Sequence, residues 1–201
     1  MSSQHDTAHG AAPDAKSTLA TYVSDMLALE RHIAAPIESQ AKSGDHQSYA
    51  AAYELITRIK STTDQHIQAL EARLATLGGD GSSGIKTAWA QIIGGGAAAI
   101  NAARSTKVSK SLRDDSTALS LEAISYTMLH ATAMGLGDQE TAALAKRHLD
   151  DVAPIIVSIS REMPAIVLQE LRGDGHQISV SASQITEEAT RDSWSGGNTG
   201  Q

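Results

Sequence analysis

The 201-residue chain has no cysteine and no phenylalanine, and aromatic residues make up only 3% of it. Without cysteine there is no disulfide framework and no thiolate metal site. So few rings argue against a β-sandwich, whose layers are filled by aromatic and β-branched side chains. The chain also lacks any apolar run of the roughly 18 to 20 residues that a membrane-spanning helix needs. Lysine and arginine never cluster. Sixteen basic side chains face 23 acidic ones, for a net charge of −7. That balance speaks against nucleic-acid binding through a basic patch, and no membrane partner is expected. The opening Met1-Ser-Ser-Gln-His-Asp6 has no charged-then-apolar leader pattern, so a cytoplasmic protein is the expectation.

What the chain does have is alanine and long three- and four-residue periodicities, the signature of closely packed helices. Residues 1–15 are polar, with Gly10 and Pro13, and read as a disordered tail. The His5 and His9 pair on it reads as solvated. A first helix begins near Lys16-Ser17, with Ser17 as a cap, and its apolar stripe is Leu19, Val23, Met26, Glu30, Ile33 and Ile37. Ser43-Gly44-Asp45 marks a turn. A second helix over about 47–77 carries Ala52, Ile56, Ile59, Thr63, His66, Leu70 and Leu74 on one face. The run Gly78-Gly79-Asp80-Gly81 stops it. Residues 85–108 read as a weaker helical crossover broken by Gly94-Gly95-Gly96, each glycine costing roughly 1 kcal/mol relative to alanine. A third helix over about 112–134 and a fourth over about 138–171 meet at Gly135-Leu-Gly137. Pro154 and Pro164 predict bends or a break in the fourth. The polar, Gly/Ser-rich segment 173–201 reads as a flexible tail, leaving 16–172 as the folded domain.

Each long helix carries polar side chains on its apolar stripe. The first has Glu30, and the second has Thr63 and His66. The third has Glu122 with Tyr126 on the stripe Leu119, Glu122, Tyr126, Leu129, Ala133. The fourth has His148 and Asp151 on the stripe Leu144, His148, Asp151, Ile155, Ile159. The glycine turn lies midway between Glu122 and residues 148–151, so a hairpin sets them at one depth. Glu30 and His66 are level only if their connecting turn centres near Ser48, a few residues past the glycine signal. Buried acids need a partner or a metal. A di-iron or di-manganese carboxylate bundle uses this chemistry: one Glu from each of two helices and a Glu-x-x-His pair from each of the others. Carboxylate oxygen and imidazole suit Fe and Mn. Glu30, His66, Glu122, His148 and Asp151 are the candidate ligands. The plain alternatives stand beside them: Glu30 at a stripe edge reaching water, His66 as a hydrogen-bonded core histidine, His148 facing solvent beside Lys146 and Arg147, and Tyr126 as a core aromatic.

This order of residues resembles the ferritin-like superfamily. Within it the chain is similar to the YciE/YciF-like (DUF892-type) group of small bacterial stress-associated proteins. The resemblance spans about 19–171. It rests on Tyr22-Val-Ser-Asp-Met-Leu-Ala-Leu-Glu30, on His66-Ile-Gln-Ala-Leu-Glu-Ala-Arg-Leu-Ala-Thr-Leu-Gly78, on Glu122 and Tyr126, and on Leu149-Asp-Asp151. It implies an all-α, up-down four-helix bundle with a long crossover between the second and third helices. The family pattern has a Glu three or four residues before the second-helix histidine, where this chain has Thr63 and Thr62. Pro154 stands where a second donor would follow Asp151, and His148 precedes the acid instead. A reduced or single-metal site is therefore as compatible with the sequence as a paired one.

Two functional expectations follow. The first is a metal-binding bundle holding one or two Fe or Mn ions, and an oxidoreductase if a di-metal centre is present. The second is a non-enzymatic helical scaffold that has lost the centre, holds no metal, and acts by self-association or through a protein partner. A homo-oligomer, a dimer, is expected in either case.

Overall fold

The computed structural model describes residues 14–79 and 107–194. The His5/His9 pair, the crossover and its Gly94–Gly96 break lie outside them. Six helices account for the described residues: α1 Ala15–Ala41, α2 Gly44–Gln47, α3 Ala50–Thr76, α4 Val108–Gly135, α5 Gln139–Gly173 and α6 Ala182–Trp194. No strand occurs among them.

α1, α3, α4 and α5 form the four-helix bundle. Its directions follow from pairs of contacts. Glu30 meets Tyr126 while Gln40 meets Asp115, so α1 and α4 are antiparallel. His66 meets Asp151 while Arg73 meets Thr141, so α3 and α5 are antiparallel. α3 and α4 therefore run the same way, and α3 ends and α4 begins at opposite ends of the bundle. This is the topology that a ferritin-like arrangement requires. The core is aliphatic, built from side chains such as Val23, Ile37, Ile56, Ile59, Leu112, Leu129 and Ile155, all with 0% exposure. The few rings expected from composition leave Tyr126 as the only aromatic side chain besides histidine in the described core.

Local chemistry sets the ends. The cap of α1 is Asp14, not Ser17: the Asp14 carboxylate accepts from Ser17 N–H at 3.1 Å. Asp138 caps α5 in the same way, accepting from Thr141 N–H at 2.8 Å. Between the two hairpin helices Gly137 has φ +75°, a left-handed backbone that costs other residues about 1–2 kcal/mol. α4 begins four residues earlier than the periodicity suggests. Ser109 N–H and its hydroxyl both donate to the buried Glu170 of α5, at 2.9 and 2.6 Å, which satisfies that first turn.

Two expectations about continuity differ from the structure. α5 runs unbroken through Pro154 and Pro164. Each proline removes one backbone hydrogen bond, at a cost of about 3 kcal/mol, and the packing of Ile155, Ile159, Pro164 and Ile166 holds the helix together around them. In the polar C-terminal segment, Ala182–Trp194 are helical. A groove between α6 and the α4/α5 pair is lined by Ile159, Met163 and Val167 from α5 and by Thr186 and Thr190 from α6. Val180 and Ile185 stay exposed, at 97% and 62%.

Candidate metal centre

Halfway along the bundle the four helices bring their polar stripe residues to one place. α1 supplies Glu30, α3 His66, α4 Glu122 and Tyr126, and α5 His148. Their exposures are 0, 2, 1, 0 and 5%. The short helix α2 is what makes Glu30 and His66 level. It carries the turn past Ser43-Gly44-Asp45 to Tyr49, and the register slips by the few residues needed.

The contacts form one network. His66 Nδ1–H donates to Glu30 Oε1 at 2.9 Å. The Tyr126 hydroxyl donates to the same oxygen at 2.5 Å. Having spent its proton there, that hydroxyl accepts from His148 Nδ1–H at 2.8 Å. This fixes the His148 tautomer and leaves the lone pair on Nε2. The two imidazoles stack with ring centres 3.8 Å apart and planes 9° from parallel. Tyr126 stands edge-on to both. Donor atoms of Glu30, His66 and His148 all lie within 4.8 Å of one another.

Glu122 completes the group without being satisfied by it. His66 Nδ1 lies 3.4 Å from its Oε1, but the proton there points at Glu30. Both Glu122 oxygens and Glu30 Oε2 are buried with no hydrogen-bond partner among the described residues. Such orphaned carboxylate oxygens carry a desolvation cost, which a cation or a proton can relieve.

Electrostatics divides the group. Burial pushes Glu122 up to about 8, with the Glu30 charge adding to it and His66 opposing. Burial alone would pull His66 down, but the Glu122 and Glu30 carboxyls beside it prevail and lift it to about 9. Burial, then the charges of His66 and Arg147, hold His148 down at about 3, so it is a neutral imidazole at any ordinary pH. Burial and the Glu30 charge raise Tyr126 well above its ordinary value, so it remains a phenol.

Asp151 requires a correction. It is not on the buried stripe: the step from His148 to Ile155 passes through Val152, which is fully buried. Asp151 sits at the rim with a side chain 59% exposed, and its Oδ2 reaches inward to His66 Nε2 at 3.3 Å. The reading of Glu30 as reaching water and of His148 as flanking solvent is likewise corrected, since both are buried. The stacking of His66 on His148 has no signal in the sequence, because it depends on the rotation of two helices about their own axes. Thr63, the other polar stripe residue of α3, is 2% exposed.

A model of the family described as "Domain of unknown function (DUF892)" matches residues 14–171. Among solved structures, a crystal structure of a protein from Xanthomonas campestris pv. campestris is similar, with a TM-score of 0.64 and 19% sequence identity. The likeness covers 81% of this chain and 99% of that one. At that identity it speaks to the fold alone. No curated protein matches the chain.

Proposed function

The chain belongs to the DUF892 family, and on that footing we propose that it binds a divalent transition-metal ion at the middle of its helical bundle. One observation carries the reading: three carboxylate oxygens, Glu30 Oε2 and both of Glu122, are buried without a donor beside two imidazoles. Glu30, Glu122, His66 and His148 would hold the ion, with Asp151 contributing from the rim. The donor set fits iron or manganese, since carboxylate oxygens and neutral imidazole suit these ions and no thiolate is present. When bound, such an ion would supply a Lewis acid and a redox-active centre. The chain's own part is to keep the place dry, to hold His148 in the tautomer that Tyr126 sets, and to give up the protons of Glu122 and His66.

A second reading has an observation of its own. With a proton on Glu122 and another on His66, the acids are neutral or paired without any metal, as their raised values of about 8 and 9 allow. In that form the molecule is a helical scaffold.

Metal titration separates the two. Purified protein loaded with Mn(II), or anaerobically with Fe(II), then desalted, is expected to retain stoichiometric metal by elemental analysis. Glu122→Gln keeps the shape and removes the charge, and is expected to abolish retention with the helical circular dichroism unchanged; Glu122→Ala is expected to do the same. Wild-type protein that keeps no metal and melts at the same temperature with or without either ion would leave only the scaffold.

A further inference from the structure

The central network is shut away from water. Glu30, His66, Glu122, Tyr126 and His148 are all between 0 and 5% exposed. Among the described residues, one member of the network stands in solvent. Asp151 has a side chain 59% exposed, and its Oδ2 turns inward to lie 3.3 Å from His66 Nε2. The other ring nitrogen of His66 faces the interior, 2.9 Å from Glu30 Oε1 and 3.4 Å from Glu122 Oε1. A single imidazole therefore separates a wetted carboxylate from the buried, donor-less oxygens Glu30 Oε2 and both of Glu122.

The two sides of α3 differ in what lines them. His66 and Arg73 both reach α5, through Asp151 and Thr141. Thr62 and Ala69 fall on that same side of α3 at three- and four-residue steps, and both are small and partly buried. The side of α3 toward α1 is strapped by ion pairs instead. Arg31 meets Glu71 at 2.8 Å, and Lys60 bridges Glu38 and Asp64 at 3.1 and 2.7 Å. On α5, Lys146 is neutralised by Asp150 at 2.6 Å. Arg147, exposed one turn before Asp151, is the opposing charge beside the rim acid.

We propose that Asp151 is the port through which the buried centre is loaded and emptied of its metal ion, with His66 as the gate behind it. The inference rests on the metal-binding reading and adds how that site is filled. Divalent ions such as Mn(II) take carboxylate oxygen readily, and Asp151 presents the outermost such oxygen of the network. His66 contacts this carboxylate through one ring nitrogen and the buried acids through the other, so it is the group that links capture to holding. Glu30 and Glu122 do the holding, because their free oxygens gain the partner they lack. A port lies on the way in and on the way out. It therefore speeds loading and loss alike, and the affinity is left to the buried ligands.

The two rates are measured separately. Metal-free full-length protein is mixed with Mn(II) in a stopped-flow instrument, with free Mn(II) read by an indicator dye, and loaded protein is challenged with excess EDTA. Asp151→Asn is expected to slow loading by about 10-fold or more, the size of effect that local charge has on capture. It is expected to slow loss in the same proportion, with circular dichroism unchanged. Asp151→Glu is expected to restore most of the loading rate. Arg147→Gln removes the opposing charge and is expected to load about threefold faster. Wild-type protein that takes up no ion defeats the metal site and the port together. If the wild type loads and Asp151→Asn loads as fast, the port alone is overturned and the buried site stands. If Asp151→Asn sheds its ion faster than the wild type, Asp151 is a ligand of the seated ion, and the port is overturned in that case too.

Discussion

Tyr126 is the residue on which the central network turns. One hydroxyl donates to Glu30 and accepts from His148, and so couples α1, α4 and α5 through a single atom. The titrating residues around it give a pH dependence whose sign can be worked out. Glu122, raised from 4.5 to about 8, holds its proton more tightly folded than unfolded, so its contribution is complete below 4.5 and is lost as pH climbs to 8. His66, raised from 6.5 to about 9, contributes fully below 6.5 and loses that contribution by 9. His148, lowered from 6.5 to about 3, acts in the opposite direction: its contribution is complete above 6.5 and is lost as pH falls to 3. Between 4.5 and 6.5 the Glu122 and His148 slopes oppose each other; above 6.5 Glu122 and His66 decline together. Metal-free protein is therefore expected to melt at a nearly level temperature from pH 4.5 to 6.5, and progressively lower toward pH 9 and pH 3. Calorimetry across that range checks it, and a melting temperature that rises from pH 6.5 to 9 contradicts it. These side chains were legible because each interrupts an apolar stripe. Asp151 was misread because the pattern of threes and fours admits either Asp151 or Val152, and only the rotation of α5 chooses.

At the level of elements, the end of the bundle where α3 stops is held by Arg73. This guanidinium, 8% exposed, donates to Thr141 at 2.8 Å and to Thr76 at 3.0 Å. It also pairs with Asp138 and Glu140, each at 2.5 Å. Asp138 is at the same time the cap of α5. One arginine thus ties the last turn of α3 to the first turn of α5, across the Gly135–Gly137 hairpin. Arg73→Met keeps the apolar stem and removes the donors. It is expected to cost about 2–3 kcal/mol, less than the 3–5 typical of a fully buried pair, because Glu140 stands in water. For a chain of this size that corresponds to a melting point lower by roughly 5–10 °C, and an unchanged melting point would show that the ties are idle. In the sequence Arg73 is only one more polar interruption of an apolar stripe, three residues after Leu70 and four before Leu77, and its partners on α5 lie more than sixty residues away. The short α2 is similar: Gly44 reads as a turn, and the helical turn there closes its own hydrogen bonds, such as Ser48 N–H to Gly44 C=O, while packing against α1 and α3.

For the molecule as a whole, the proposed metal site has a thermodynamic consequence that does not depend on activity. A ligand bound only by the folded state, at a concentration one hundred times its dissociation constant, adds about 2.7 kcal/mol. Saturating Mn(II) is expected to raise the melting temperature by roughly 5–10 °C, and more at pH 8 than at pH 6, since binding must displace the protons on Glu122 and His66. A shift that is equal at the two pH values would place the ion elsewhere. The sequence alone determined that the protein is all-helical, where its long helices lie, and that acids and imidazoles interrupt their apolar faces. Those properties follow from periodicity along one chain, which neighbouring residues encode locally. Tertiary structure decided the rest: that Glu30, His66, Glu122 and His148 share one dry place, and that Asp151 remains at its rim. Such facts depend on how far each helix is rotated and shifted against the others. The packing of four separate surfaces sets that, and no single stretch of sequence contains it.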